Sequence, residues 1–142
     1  MEIVICPDAV QAGRLGADAI TTLIRRKPDG VLGLATGSSP LGIYDELARR
    51  HEAGELSFAN ARGFTLDEYV GLATEHPETY HNVIRKDFVN RVDFADGAVR
   101  GPDGLSDDIP AFCRSYEEAI AAAGGIDLQI LGIGTDGHIG FN

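Results

Sequence analysis

The fold is decided by residues 31–40, VLGLATGSSP. Residues 31–35 form a short, unbroken apolar run, which is typical of a strand that is covered on both faces of a parallel sheet. Residues 36–39 are small and polar and predict a loop. Pro40 fits the first position of a helix, with Ser39 as its N-cap. A strand, a short loop and a helix in this order form the repeating unit of an α/β fold.

The same alternation continues on both sides of this unit. Upstream, residues 3–6 predict a buried strand, and Asp8 is expected to cap the helix that follows. Downstream, the sequence predicts a helix towards residue 54, a strand at 61–66, a loop at 71–79, a helix at 80–88, a long surface connection at 96–108, a helix at 109–123 and a strand at 126–131. Together these elements predict an α/β protein with a Rossmann-like open parallel sheet and helices on both faces.

Composition limits the possible partners. The 142 residues carry 12 Lys and Arg against 22 Asp and Glu, which gives a net charge of −10. Nucleic-acid binding usually requires a basic surface, so we expect no nucleic-acid partner. An anionic ligand would have to be attracted by a local site and not by the overall field. The sequence contains neither an apolar stretch of membrane-span length nor a recognisable leader at Met1, so we expect a cytoplasmic protein without a membrane partner.

Three polar clusters follow three of the predicted strands. In open parallel sheets, ligands bind outside the carboxyl ends of the strands. Residues 36–39 follow the strand at 31–35, Asp67 and Glu68 follow the strand at 61–66, and residues 136–138 follow the last strand. The sequence therefore predicts a small-molecule site where these three clusters converge.

Residues 36–39 have the composition of an anion site. A strand, a short loop of Thr36, Gly37, Ser38 and Ser39, and a helix start place several free N–H groups around one point, where the helix dipole adds positive potential. The loop lacks the lysine of a Walker A motif, so nucleoside triphosphate chemistry is not indicated. An ordinary strand-to-helix turn with a serine cap is the alternative.

The two other clusters carry groups for acid–base chemistry. Asp136 lies two residues from His138, and a nearby carboxylate can fix the tautomer of an imidazole and raise its basicity. The alternative for this pair is an Asx turn beside an exposed histidine. Asp67 is a second possible base, although an aspartate at the end of a strand is more often a helix cap.

The sequence gives no sign of a cofactor or a metal. Gly132, Gly134 and Gly137 match the glycine spacing of a dinucleotide fingerprint, but the helix and the acidic residue that must follow are absent. These glycines instead allow tight turns beside a ligand. No set of His, Cys, Asp or Glu has the spacing of a metal site. We therefore expect neither a cofactor nor a metal.

Read together, the clusters resemble glucosamine-6-phosphate deaminases. The matching stretches are Thr-Gly-Ser-Ser-Pro at 36–40, Leu-Asp-Glu-Tyr-Val-Gly-Leu at 66–72, His-Pro-Glu-Thr-Tyr at 76–80 and Gly-Ile-Gly-Thr-Asp-Gly-His-Ile-Gly-Phe-Asn at 132–142. Related sugar-phosphate lactonases usually have Asp-Glu-Arg at the position of residues 67–69 and Gly-His-Thr-Ala-Ser at the position of residues 137–141. Both differences favour a deaminase.

The resemblance implies a reaction and a role for each cluster. Glucosamine 6-phosphate would be isomerised and deaminated to fructose 6-phosphate and ammonia, within amino-sugar catabolism. Asp67 would move a proton at the sugar C2, His138 with Asp136 would open the pyranose ring, and residues 36–39 would hold the phosphate. The alternatives are a lactonase of the same superfamily and an inactive fragment that binds sugar phosphates.

The family pattern also bears on the extent of the chain. Members are longer, and a glutamate after the position of Asn142 completes their Asp-His-Glu relay. We therefore expect residues 1–142 to be the apparently truncated N-terminal portion of a single isomerase/deaminase domain, which could form a homo-oligomer.

Overall fold

The computed structural model describes residues 2–140. Within this range the helices are α1 (Ala9–Arg26), α2 (Leu41–Glu52), α3 (Tyr80–Asp87) and α4 (Ile109–Ala122), with a 3₁₀ turn at Val89–Arg91. The strands are β1 (Val31–Leu34), β2 (Arg62–Thr65), β3 (Val99–Arg100) and β4 (Leu128–Gln129). None of the described helices is both long enough and apolar enough to cross a membrane.

The strands form one parallel sheet in the order β3-β2-β1-β4. The chain moves outward from β1 through β2 to β3 and then returns to the other side of β1 with β4. The direction of strand order therefore reverses between β1 and β4. This reversal is the switch point beside which ligands bind in open α/β sheets.

Helices cover both faces of the sheet, as the sequence predicted. Leu32 and Leu34 pack with residues of α1 and α2 in one core, whereas Val31 packs with Phe64 of β2 and Tyr116 of α4 in a second core. Successive side chains of a strand point to opposite faces, so a strand buried on both sides must be apolar throughout. This requirement explains why β1 is an unbroken apolar run. The parallel sheet with helices on both faces confirms the predicted fold class.

Side-chain caps begin three of the four described helices. The Asp8 carboxylate accepts a hydrogen bond from the Gln11 N–H at 2.7 Å, which confirms it as the cap of α1. Asp108 caps α4 through the Ala111 N–H at 2.8 Å, and Thr79 caps α3. Each cap supplies an acceptor for an N–H group that has no partner within its helix.

The strand predicted at residues 3–6 is not formed. This segment has no regular secondary structure, and Ile3, Val4 and Ile5 are exposed, Ile5 by 93%. An apolar run supplies suitable side chains, but a strand also needs a neighbouring backbone with which to form hydrogen bonds. Residues 3–6 pair with no strand of the described chain, so the prediction was wrong.

Two other boundaries differ from expectation. The strand predicted at residues 126–131 forms ladder pairs with β1 only at Leu128 and Gln129, although the Ile130 N–H still donates to the Gly33 carbonyl at 2.9 Å. Residues 96–108, predicted as a surface connection, contain the short strand β3, which pairs with Gly63 and Phe64. A strand of two residues is too short to produce a periodic signal.

Candidate functional site

A cleft of about 290 Å³ opens at the carboxyl ends of β1, β2 and β4. Its walls are formed by Thr36, Gly37, Ser39, Leu66, Asp67, Tyr80, Gly132, Ile133, Gly134, His138 and Gly140. Of the seven predicted site residues, five lie in these walls, while Ser38 and Asp136 do not. The structure therefore brings the three predicted clusters together at one point, with Asp136 reaching the cleft through His138.

The loop at residues 36–39 presents free backbone donors. Among the described residues, the N–H groups of Gly37, Ser38 and Ser39 have no hydrogen-bond acceptor. Gly37 has a φ of +95°, in the left-handed region that glycine enters without a steric penalty. This turn carries the chain from β1 to α2 beside the cleft.

Ser39 does not cap α2, which corrects the prediction. The helix begins at Leu41, Pro40 occupies the N-cap position, and no side chain accepts a hydrogen bond from the first turn. In the first turn, the Leu41 N–H donates to the Ser38 carbonyl at 3.4 Å and the Ile43 N–H donates to the Pro40 carbonyl at 2.9 Å, while the Gly42 N–H has no acceptor among the described residues. The start of α2 therefore keeps one free N–H group and the positive end of its dipole. An uncapped helix start beside free loop amides is suited to an anion.

The loop at residues 132–138 lies directly against the loop that precedes α2. A Cβ placed on Gly132 would be 3.5 Å from the side chain of Ser39, and one placed on Gly134 would overlap the His138 ring. The contact at Gly132 is ordinary van der Waals contact, so only Gly134 needs to lack a side chain here. Gly137, with a φ of +90°, makes a tight turn beside the cleft. The loop is closed by a hydrogen bond from the Gly134 N–H to the His138 carbonyl at 2.8 Å.

His138 and Asp136 form a direct pair. The His138 Nδ1 lies 2.5 Å from the Asp136 Oδ1, and this contact lowers the pKa of the Asp136 carboxyl. Because an ionised carboxylate can only accept, the proton of this contact lies on Nδ1, and in the neutral imidazole Nε2 is then the acceptor. The pair is exposed at the mouth of the cleft, which suits an imidazole that takes a proton from a bound molecule.

Asp67 lies in the cleft wall and does not act as a helix cap. No hydrogen bond to its carboxylate is found within residues 2–140. The pKa of Asp67 is raised by two causes: partial burial of its carboxyl is the larger, and the negative charge of Glu68 is the smaller. A carboxylate with a raised pKa is a stronger base and accepts a proton more readily near neutral pH.

Tyr80 is a cleft residue that the sequence did not identify. It is the first residue of α3, and its hydroxyl donates to the Tyr69 hydroxyl at 3.1 Å. This hydrogen bond, with burial as a second cause, raises the pKa of Tyr80 to about 12. Only the docking of α3 brings Tyr80 to the cleft, and the sole signal in the sequence is its place in the motif at residues 76–80.

The chemistry of the cleft is that of acid–base side chains around a donor-rich loop. No lysine or arginine lines it among the described residues. Within residues 2–140, no three His, Cys, Asp or Glu residues lie close enough to hold a metal ion. The cleft can therefore bind an anionic group through main-chain donors and exchange protons through Asp67 and His138.

The fold and the cleft define an α/β protein with an open parallel sheet and a small-molecule site at its switch point. The family model described as glucosamine-6-phosphate isomerases/6-phosphogluconolactonase matches residues 9–140. The chain belongs to this family.

Individual relatives are similar over the whole chain. The glucosamine-6-phosphate deaminase of Mycolicibacterium smegmatis is 70% identical over 142 residues, and that of Beutenbergia cavernae is 66% identical. Both alignments cover 100% of this chain and 54% of the relative. The chain thus spans about half the length of the curated relatives it matches.

Solved structures agree with the fold. A monomeric glucosamine-6-phosphate deaminase superposes with a TM-score of 0.95 at 40% identity, covering 99% of this chain and 58% of that one. A 6-phosphogluconolactonase from Thermotoga maritima gives a TM-score of 0.77 at 24% identity, covering 97% of this chain and 61% of that one. The similarity to the lactonase shows a shared fold and nothing about function.

Proposed function

We propose that this chain is the N-terminal portion of a single-domain glucosamine-6-phosphate deaminase. The observation that carries the proposal is that one cleft brings together Asp67, His138 with its partner Asp136, and Gly37 and Ser39, whose N–H groups are free among the described residues. The identity of 70% to a glucosamine-6-phosphate deaminase supplies the reaction.

The loop at residues 36–39 binds the phosphate of the substrate. Three free N–H groups and the uncapped start of α2 supply donors and positive potential to its oxygens. The hydroxyls of Thr36 and Ser39, which line the cleft, can donate as well. Binding the phosphate at this end fixes the position of the sugar relative to Asp67 and His138.

His138 opens the pyranose ring. Ring opening requires removal of the proton on the anomeric hydroxyl and delivery of a proton to the ring oxygen, which yields the free aldehyde. With Nδ1 hydrogen-bonded to Asp136, Nε2 is free to take the first proton. Asp136 stabilises the imidazolium that forms, in the way a carboxylate supports the histidine of other general bases.

Asp67 moves a proton between two carbons of the open chain. An aldose becomes a ketose when C2 loses a proton and C1 gains one. In an amino sugar this transfer leaves an imine at C2, which water hydrolyses to a ketone and ammonia. The raised pKa of Asp67 suits it both to accept the C2 proton and to return it to C1.

The proposed substrate also indicates a cellular setting. A sugar phosphate is charged and does not cross a membrane, so we place the reaction in the cytoplasm and within N-acetylglucosamine catabolism. Homo-oligomer formation remains a prediction.

An ammonia-release assay tests the proposal. Glucosamine 6-phosphate is supplied to this chain and to the chain extended through its natural reading frame, with 6-phosphogluconolactone as the competing substrate. Ammonia release by the extended chain, lost in its Asp67→Asn variant, supports a deaminase. Lactone hydrolysis without ammonia release would assign the lactonase reaction, while binding without turnover of either substrate would leave a sugar-phosphate-binding protein.

A further inference from the structure

Glu68 connects two segments of the candidate site. Its Oε1 accepts hydrogen bonds from the N–H groups of Tyr69 at 2.8 Å and Tyr80 at 2.9 Å, and its Oε2 accepts one from the N–H of His81 at 2.9 Å. The N–H groups of Tyr80 and His81 belong to the first turn of α3, where no intrahelical acceptor exists. A carboxylate from another segment therefore satisfies them, and its charge is favourable at the positive end of the helix.

The neighbours of this contact are cleft residues on both sides. Asp67 directly precedes Glu68, and Tyr80 is itself one of the residues held. Beyond Glu68, the rings of Tyr69 and Tyr80 pack with their centroids 4.7 Å apart. We propose that Glu68 is a positioning residue, whose carboxylate ties the loop of Asp67 to the first turn of α3 and so holds Asp67 and Tyr80 in one cleft.

Glu68 has an electrostatic effect as well. Asp67 is faced by Glu68 from its own loop, by Tyr80 from α3 and by His138 from the loop across the cleft, whereas residues 36–39 bring no charged side chain. Burial is the larger cause of the raised pKa of Asp67, and the charge of Glu68 is the second. Removing that charge should lower the pKa of Asp67. The importance of this effect for catalysis rests on the proposed function.

Two substitutions separate the hydrogen bonds from the charge. Glu68→Gln keeps the length of the side chain but removes its charge and replaces one accepting oxygen with an NH₂ group, which cannot accept. Glu68→Asp keeps the charge but is one methylene shorter. Glu75→Gln is the matched control, because Glu75 is an exposed residue of the same loop region and loses the same charge without a hydrogen bond to α3 among the described residues.

Amide hydrogen exchange, followed by NMR on the chain without ligand, reports the contact itself. In the unaltered chain, the amides of Tyr80 and His81 should exchange more slowly than that of Glu75. In Glu68→Gln, at least one of them should exchange about tenfold faster or more, because one accepting oxygen and the charge are lost. In Glu68→Asp, both should do so, because the shorter side chain no longer holds the hydrogen bonds to the two amides. The Glu75→Gln control should leave both rates unchanged.

A carboxyl ¹³C titration reports the effect on Asp67, whose signal is assigned by its absence in Asp67→Asn. Asp67 should titrate at lower pH in Glu68→Gln than in the unaltered chain, and at higher pH in Glu68→Asp than in Glu68→Gln. In an active enzyme, the same shift should move the acid limb of the kcat profile of Glu68→Gln to lower pH.

The inference is overturned if both Glu68 variants match Glu75→Gln in amide exchange and in the titration of Asp67. It is also overturned if the amides of Tyr80 and His81 in the unaltered chain exchange as fast as that of Glu75, a result that needs no variant to fold. Neither NMR measurement requires turnover, so absence of ammonia release would contradict the proposed function and leave this inference standing.

Discussion

Replacing Tyr44 with phenylalanine should destabilise the protein and weaken its anion site together. Tyr44 of α2 is 1% exposed, and its hydroxyl donates to the Ala35 carbonyl at 2.7 Å and accepts from the Ala35 N–H at 3.2 Å. Ala35 directly precedes the loop at residues 36–39. The hydroxyl therefore fixes the backbone at the point where β1 ends and the loop begins.

The magnitude follows from the groups that lose their partner. Tyr44→Phe keeps the ring, which stacks on Phe88 with centroids 4.7 Å apart, so packing changes little. It leaves a buried N–H and a buried carbonyl without the hydroxyl, and each such group costs about 1–3 kcal/mol. Allowing for relaxation and non-additivity, we expect the free energy of unfolding to fall by about 2–4 kcal/mol.

Urea unfolding measures the stability, and calorimetry with glucosamine 6-phosphate measures binding. Tyr69→Phe is the matched control, because Tyr69 is exposed and its hydroxyl accepts from Tyr80 outside the core. We expect the control to change the free energy of unfolding by no more than about 0.5 kcal/mol, as is usual for surface substitutions. A Tyr44→Phe variant as stable as the control, with unchanged affinity, would refute the role of the buried hydroxyl.

Four further predictions concern the site and the surface. Asp67→Asn should lower kcat by about two orders of magnitude or more. Because the pKa of Asp67 is raised, the activity of the unaltered enzyme should be lost on acidification at a higher pH than a base with the pKa of an ordinary aspartate would give. His138→Gln should slow turnover of the closed pyranose and spare an open-chain analogue; equal losses in both assays would exclude a ring-opening role. Gly37→Ala should weaken phosphosugar binding in calorimetry, whereas Gly54→Ala, also left-handed with a φ of +72°, should not. The exposed run that includes Ile5 should promote self-association, so Ile5→Lys should shift sedimentation velocity towards the monomer; an unchanged distribution would contradict this.

The sequence predicted those parts of the fold that depend on patterns within a single segment. β1 is predicted by its short apolar run and the helices by their apolar spacing and their capping or turn residues. β1, β2 and the four helices of the described chain lie close to their expected bounds. The strand at residues 3–6 failed because strand formation also requires a neighbouring strand. β3 was missed because its two residues form a strand only through pairing with β2.

The candidate site could be predicted in part for a similar reason. Residues 36–39, Asp67 and His138 follow strands, and the rule for parallel sheets places the carboxyl ends of strands at one edge. Tyr80 could not be placed in this way, because its position depends on how α3 docks on the loop after β2. Glu68 was placed at the strand end, but its hydrogen bonds to α3 depend on the same docking. The missing side-chain cap of α2 could not be predicted either, since serine is a common N-cap residue and the sequence predicts Ser39 in that role.

The loop at residues 36–39 has a consequence for the rate of ligand binding. Its donors are backbone amides, which carry no net charge and act only at close range, while the chain carries a net charge of −10. We therefore expect the proposed ligand, a sugar phosphate, to be repelled at a distance and attracted only on contact. Dissolved salt screens the repulsion, with a Debye length of about 8 Å at physiological ionic strength, and leaves short hydrogen bonds less affected. Added salt should consequently accelerate capture of the ligand by this chain, the reverse of the behaviour of proteins that steer anions with basic surfaces.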